Sequence, residues 1–218
     1  ERQRKDFKED FKYKVVVKRG FMILIVDNKS KFVKDLCKVI RDLKVNYELV
    51  DKAAPAEMLP EDHSIYSGLI LSGGPMHFDR KLYLEDVSFE LASLMEMEDT
   101  TPTLGICLGH QLLGEIFDGR IKHMDKTIHN ADEEVNIIED DILFKDIPKK
   151  IKVQESHSDE IIKLPHHFKL LAYSSDCDVE AMRHETRPTW GVQFHPEASG
   201  EVGKKIIENF LRICGEIK

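Results

Sequence analysis

Gly105-Ile106-Cys107-Leu108-Gly109 sets one thiol between two glycines, after a short apolar run and before residues spaced like a helix. Most free cysteines are small buried hydrophobes. This spacing also allows a second reading, a nucleophile on a strand-to-helix elbow of the Gly-x-nucleophile-x-Gly kind. Small neighbours on either side let the backbone take a strained turn that lifts the sulfur above a sheet. The first turn of the helix adds unpaired N–H groups and the positive end of its dipole, which favour a thiolate and hold an oxyanion. The Leu108 N–H is the first such donor.

A thiolate that attacks a carbonyl needs a proton carrier. Ten histidines are available, and most stand in polar stretches without a partner pattern. His110 opens the helix itself and is expected to pack or hydrogen-bond there. His157, in "ESHSDEI", is expected to border a pocket. His195 differs, because it ends the apolar run "WGVQF" and is followed by Pro196 and Glu197. Proline fixes the chain just after the strand. The imidazole then projects from the carboxyl edge of a sheet, where sites in α/β folds form. Glu197 is placed to bond the second ring nitrogen and set the tautomer. Cys107, His195 and Glu197 thus read as nucleophile, base and orienter. "LSGGP", Leu71 to Pro75, ends another strand, and its glycines allow a backbone N–H to approach a substrate as a second oxyanion donor.

These residues need a scaffold, and the chain spells one out. "FMILIVD" is a continuous apolar run of the type buried on both faces in a parallel sheet. "SKFVKDLCKVIRDLK" repeats apolar residues at helical spacing, with Ser30 as N-cap. "VNYELV", "SGLIL" and "TPTLGI" read as strands, and "EDVSFELASLMEME" and "GHQLLGEIF" as helices. From Gly119 to Val192 strand-like stretches dominate. "GEVGKKIIENFLRICGE" closes the chain as an amphipathic helix whose inner side carries Val202, Ile206, Ile207, Phe210, Leu211 and Cys214. The alternation predicts an α/β fold, an open and mostly parallel sheet flanked by helices. Cys37 and Cys214 lie on apolar helix faces and are assigned to packing. Residues 1–20, densely charged with mixed sign, read as a leader or appendage, with "YKVVV" as an optional extra strand. Residues 21–218 read as one domain.

Composition excludes several classes. The chain has 218 residues, 41% of them hydrophobic, and a net charge of −8, so a full core is available and no basic nucleic-acid footprint exists. The four cysteines are far apart and form no C-x-x-C pair, which argues against a disulfide framework or a structural zinc site. Reduced thiols point to the cytoplasm. No apolar run approaches a membrane span, and no signal-peptide stretch opens the chain.

"SGGP", "GICLGHQ", "SHSDEI" and "GVQFHPE" occur in the order found in class I (triad-type) glutamine amidotransferases, and from Met22 to Gly215 the chain resembles that family. Within it the likeness is nearest to the glutaminase subunits or domains of GMP synthetases, carried mostly by "VEAMRHETRPTWGVQFHPEASGEVGKKIIENFLRIC". The resemblance implies a flavodoxin-like sheet and hydrolysis of glutamine to glutamate and ammonia. It implies Cys107 as nucleophile, His195 as acid and base, Glu197 as its orienter, and Gly74 and Leu108 as backbone oxyanion donors. It places Gln111 in the glutamine pocket, and Ser156 and His157 near the substrate or a partner interface. It implies no metal or organic cofactor in this chain. ATP and Mg would belong to a separate ATP-pyrophosphatase synthetase subunit that aminates XMP to GMP with the ammonia. Two loops depart from the usual letters of GMP synthetases, "DNKSK" at Asp27–Lys31 and "ASGE" at Ala198–Glu201. The open alternatives are a glutaminase subunit of the anthranilate or aminodeoxychorismate synthase type, a stand-alone γ-glutamyl thiol hydrolase, and a catalytically idle binding module.

Overall fold

The computed structural model describes residues 22–54, 65–74, 88, 91 and 100–218. The charged segment 1–20, the optional strand within it and nearly all of the helix expected over "EDVSFELASLMEME" lie outside the described residues.

β1 (Met22–Asp27), α1 (Val33–Asp42), β2 (Tyr47–Asp51), β3 (Tyr66–Leu71), β4 (Thr103–Ile106) and α2 (Leu108–Ile116) follow in order. β5 (Arg120–Ile137), β6 (Lys150–Lys163), β7 (Phe168–Tyr173), β8 (Ala181–His184), β9 (Thr189–Val192) and α3 (Gly200–Ile213) complete the described chain. All nine described strands join one sheet in the order β2-β1-β3-β4-β9-β8-β7-β5-β6.

Parallel pairing holds from β2 through β9, the half built from continuous apolar runs. Successive residues of β1 enter opposite cores. Ile23 and Ile25 pack with Leu36, Cys37 and Ile40 of α1 and with Ile206, Ile207 and Phe210 of α3. Leu24 and Val26 face the other way, into a cluster with Leu113 and Phe117 at the end of α2. Each such side chain contributes roughly 1.5–3 kcal/mol over an exposed one, so two-sided burial needs apolar residues at every position of the strand.

From β9 onward every pairing is antiparallel. The sheet is therefore mixed, and its parallel character is confined to the half that carries the helix crossovers. "RIKHM" and all but the last residue of "EEVNII" lie on one long strand, β5, whose register against β6 shifts at three places. Such bulges bend the pair and re-aim side chains. α1 begins at Val33 rather than directly after Ser30. The Ser30 hydroxyl accepts from the Phe32 N–H and its carbonyl from the Val33 N–H, so the serine closes the turn that leads into the helix.

Register decides where the chemistry can gather. Gly105 pairs with Gly191 and Ile106 with Val192, so β4 and β9 end side by side at the same sheet edge. Leu71, the last residue of β3, pairs with Gly105. The residues that follow β1, β3, β4 and β9 therefore emerge together at the carboxyl ends of parallel strands.

Candidate active site

Cys107 joins β4 to α2 with φ 50° and ψ −104°, in a region that L-residues rarely adopt. Its N–H donates to the Val192 carbonyl at 2.8 Å, which pins the elbow to β9. The flanking glycines are there for close approach. A Cβ at Gly105 would fall 2.5 Å from the Gly109 carbonyl oxygen, and one at Gly109 would fall 2.2 Å from the Leu71 carbonyl oxygen. Any larger side chain at either position would push the elbow off the sheet.

The other thiols have no comparable setting. All four cysteines are buried and free. Burial pushes the Cys37 thiol up, and the Cys177 and Cys214 thiols well up, away from the reactive anion. Cys37 and Cys214 sit in the core cluster with α1 and α3, as their helical faces predict.

His195 follows β9 and is locked from several sides. Its N–H donates to the Gln154 carbonyl at 2.8 Å, and its own carbonyl accepts from the Ser199 hydroxyl at 2.6 Å. Pro196 starts a short 3₁₀ turn, Pro196–Ala198, which returns Glu197 toward the ring. Nδ1 lies 2.9 Å from Glu197 Oε1. The Cys107 sulfur stands near enough to the ring to favour its charged form. Phe32 covers the ring at 4.6 Å between centroids. Burial by itself disfavours the imidazolium, but the Glu197 carboxylate and the Cys107 sulfur outweigh it and push the pKa up to about 10.

The Gly73-Gly74 turn closes the third side. A Cβ at Gly73 would stand 2.7 Å from His195 Cε1 and 3.5 Å from Cys107 Cβ, so this backbone runs against both groups. A Cβ at Gly74 would strike Leu108 Cδ2 at 2.2 Å and the Asn28 carbonyl oxygen at 2.7 Å. Gly74 and the N-terminal turn of α2 thus border one space. The Asn28 amide fixes the turn by donating to the Ser72 carbonyl at 2.8 Å.

β6 supplies the fourth side and divides its residues between two faces. The Ser156 carbonyl lies 3.8 Å from Cys107 Sγ, and the Ser156 hydroxyl accepts from Lys31 Nζ at 2.8 Å. His157 is fully buried, with Nε2 2.6 Å from Glu155 Oε2 and Nδ1 3.0 Å from the Asp159 carbonyl. Both of its ring nitrogens are therefore engaged within β6, while Ser156 meets the sulfur. Gln111, on α2, donates to the Asp159 carbonyl at 2.7 Å and to Gln193 Oε1 at 3.1 Å, fastening α2 to β6 and to the residue after β9. His110 packs as expected, with Nε2 3.0 Å from the Val179 carbonyl, and burial drives its pKa down to about 3.

The structure gathers Cys107, His195, Glu197, Gly74, Leu108 and Ser156, and ties Gln111 and His157 to partners within the fold. Lys31, Phe32 and Asn130 were not singled out in the sequence, yet Phe32 lies on the His195 ring and Lys31 joins Ser156 to Asn130. For Lys31 the signal was available in the departing "DNKSK" loop. Glu180 was also overlooked. It is buried, and burial together with the Glu155 charge pushes its carboxyl well up. Among the described residues, no group of three or more His, Cys, Asp or Glu could hold a metal ion, and no helix is long and apolar enough to cross a membrane.

The family model "Glutamine amidotransferase class-I" matches residues 24–214. A Pyrococcus abyssi protein named as a glutamine-hydrolyzing GMP synthase subunit is 39% identical over 199 residues, covering 90% of this chain and 100% of that one. Its namesake from Pyrococcus furiosus is 40% identical over 198 residues, with the same coverage of both chains. Among solved structures, a Thermoplasma acidophilum protein described as a candidate GMP synthase subunit superposes with a TM-score of 0.78 at 30% identity, covering 90% of this chain and 95% of that one.

Proposed function

The chain belongs to the class I glutamine amidotransferases, and from that premise we propose that it is the glutamine-hydrolysing half of a two-subunit GMP synthase. The observation that carries the reading is one ring. His195 has Glu197 on Nδ1 at 2.9 Å, and its charged form is favoured by the sulfur of Cys107 on the strained elbow.

The chemistry follows from that geometry. The Cys107 thiolate attacks the side-chain amide carbon of glutamine, and a C–S bond forms as the carbonyl becomes an oxyanion. The oxyanion is held by the N–H groups of Leu108 and Gly74, at the helix N-terminus and the glycine turn. The His195 imidazolium gives its proton to the departing nitrogen, the C–N bond breaks, and ammonia leaves a glutamyl thioester on Cys107. His195, now neutral, takes a proton from water, whose oxygen displaces the sulfur and releases glutamate. Glu197 keeps the ring oriented and stabilises its charged form in both steps. Gln111 holds β6 against α2, so the Ser156 carbonyl stays beside the sulfur. No step calls on a metal or organic cofactor of this chain.

The names of the Pyrococcus relatives, matched over their whole length, support the acceptor. Ammonia would pass to a separate synthetase subunit of the ATP-pyrophosphatase type, which with ATP and Mg aminates XMP to GMP. Residues 21–218 would act as one amidotransferase domain in the cytoplasm. The test is reconstitution of this chain with its synthetase subunit. Cys107→Ala is expected to abolish glutamine-driven GMP formation and to leave ammonia-driven formation intact. Loss of both, or retention of the glutamine-driven reaction, would overturn the reading.

A further inference from the structure

The turn beside Cys107 contains two consecutive glycines, and nothing in Gly73-Gly74 itself dictates which way the peptide between them faces. A trans peptide points its C=O and its N–H in opposite directions. Turning it over exchanges the two and needs only rotations about the flanking bonds, which glycine accepts on either side. One orientation offers the Gly74 N–H to an oxyanion. The other puts the Gly73 carbonyl in its place, where like partial charges repel. A dependable donor at this position therefore needs a lock.

Ser72 supplies one. Its hydroxyl accepts from the Asn28 N–H at 2.9 Å and donates to the Gly73 carbonyl at 2.9 Å. A backbone N–H can only donate, so the hydroxyl accepts there and commits its single hydrogen to the Gly73 oxygen. Both residues are sealed from solvent, Asn28 at 0% and Ser72 at 1% exposure, so water does not compete for that hydrogen. Ser72 is also anchored along its backbone. Its N–H donates to the Val26 carbonyl at 3.1 Å, and its carbonyl accepts from the Asn28 amide at 2.8 Å. The Asn28 amide oxygen in turn accepts from the buried Ser88 hydroxyl.

With its oxygen drawn back to Ser72, the Gly73–Gly74 peptide aims its N–H the other way. That N–H donates to no group among the described residues. The same backbone abuts the reacting groups, with Gly73 against His195 and Cys107 and Gly74 against Leu108. We propose that Ser72 is a positioning residue, whose hydroxyl fixes the orientation of the Gly73–Gly74 peptide and so keeps the Gly74 N–H available to the oxyanion; this rests on the glutaminase reading above. Ser72 acts through the peptide and touches no substrate. The glutamine amide oxygen carries little charge before attack and a full charge in the tetrahedral adduct. Loss of the lock should therefore lower kcat and kcat/KM together and leave KM unchanged.

The test uses the chain reconstituted with its synthetase subunit and follows glutamate release from glutamine. Removing an oxyanion donor outright costs about 10²–10³ in kcat. Ser72→Ala only frees the peptide to turn, so kcat should fall less, roughly ten- to hundredfold, at constant KM. Ser72→Cys fills the same space with a weak donor and should slow kcat in the same direction, which gives the readout should the alanine variant not fold. Alkylation of Cys107 by iodoacetamide displaces iodide without forming an oxyanion, so its rate in Ser72→Ala should match that of the native chain. Ser88→Ala removes a buried hydrogen bond from the same cluster but leaves Ser72 on the Gly73 carbonyl. It should lower the urea midpoint while kcat stays within about twofold. Unchanged kcat in both Ser72 variants, equal slowing of the iodoacetamide reaction, or slowing by Ser88→Ala as large as by Ser72→Ala would overturn the assignment. Native enzyme that reacts with iodoacetamide yet releases no glutamate from glutamine would instead overturn the glutaminase reading itself.

Discussion

Replacing Glu197 with glutamine isolates the electrostatic contribution to the proposed chemistry. The amide has the size of the carboxyl and keeps an oxygen able to accept from the Nδ1–H, so the perturbation is one of charge. In the native protein burial opposes the His195 imidazolium, and the Glu197 carboxylate and Cys107 sulfur outweigh it, raising the pKa from 6.5 to about 10. At about 1.36 kcal/mol per unit, that rise is worth on the order of 5 kcal/mol. The ring is 3% exposed, so solvent screens little of it. In Glu197→Gln the opposing effect of burial stays and its main counterweight goes, so His195 should titrate about two units lower or more. The sign for stability follows from linkage. A pKa raised on folding adds stability that is complete below pH 6.5 and is lost as pH climbs through about 10. Native protein should therefore weaken between these pH values, whereas the variant should lose far less there. Proton NMR of His195 Cε1–H gives the titration, and urea midpoints across the same range give the linkage. Glutamine hydrolysis should fall by about 10²–10⁴, the usual worth of positioned acid–base catalysis. A native His195 that titrates near 6.5, or a variant that still titrates near 10, would refute the reasoning.

Two further outcomes concern the backbone of the site and the core below it. Cys107→Gly should be at least as stable as Cys107→Ala in urea unfolding, because the positive φ at this position costs an L-residue about 1–2 kcal/mol that glycine avoids; a glycine variant weaker by about 1 kcal/mol, as in an ordinary helix, would contradict the strain. Gly68→Ala would bring a Cβ to 2.4 Å from Cys214 Sγ, which is buried under β3. It should cost roughly 1–3 kcal/mol by overpacking, and Cys214→Ala should recover most of that in the double variant. Simple additivity of the two changes would show that the thiol is not what the new methyl meets.

The parts of this protein that were legible in its letters are the parts governed by local rules. Unbroken apolar runs such as "ILIV" announce strands buried on both faces, because a parallel sheet covered by helices leaves no solvated side. Gly105 and Gly109 announce the elbow, because only a hydrogen fits where the chain passes within contact of Leu71 and of itself. His195 and Glu197 announce their pairing, because a proline between them forces the turn that returns the carboxylate to the ring. The tertiary structure decided the rest. The Gly119–Val192 strands gave no sign that they would pair antiparallel and make the sheet mixed, since pairing direction depends on partners brought from elsewhere in the chain. Ser156 and His157 are neighbours in sequence, yet the Ser156 hydroxyl meets Lys31 while the His157 ring is sealed with Glu155, because alternate side chains of a strand point to opposite faces and only the folded sheet says what each face meets. Lys31 reaches partners 99 and 125 residues away through a bulge whose position no local pattern marks. Contacts of that range form only when strands distant in sequence are laid in register, and no short stretch of sequence contains both of their ends.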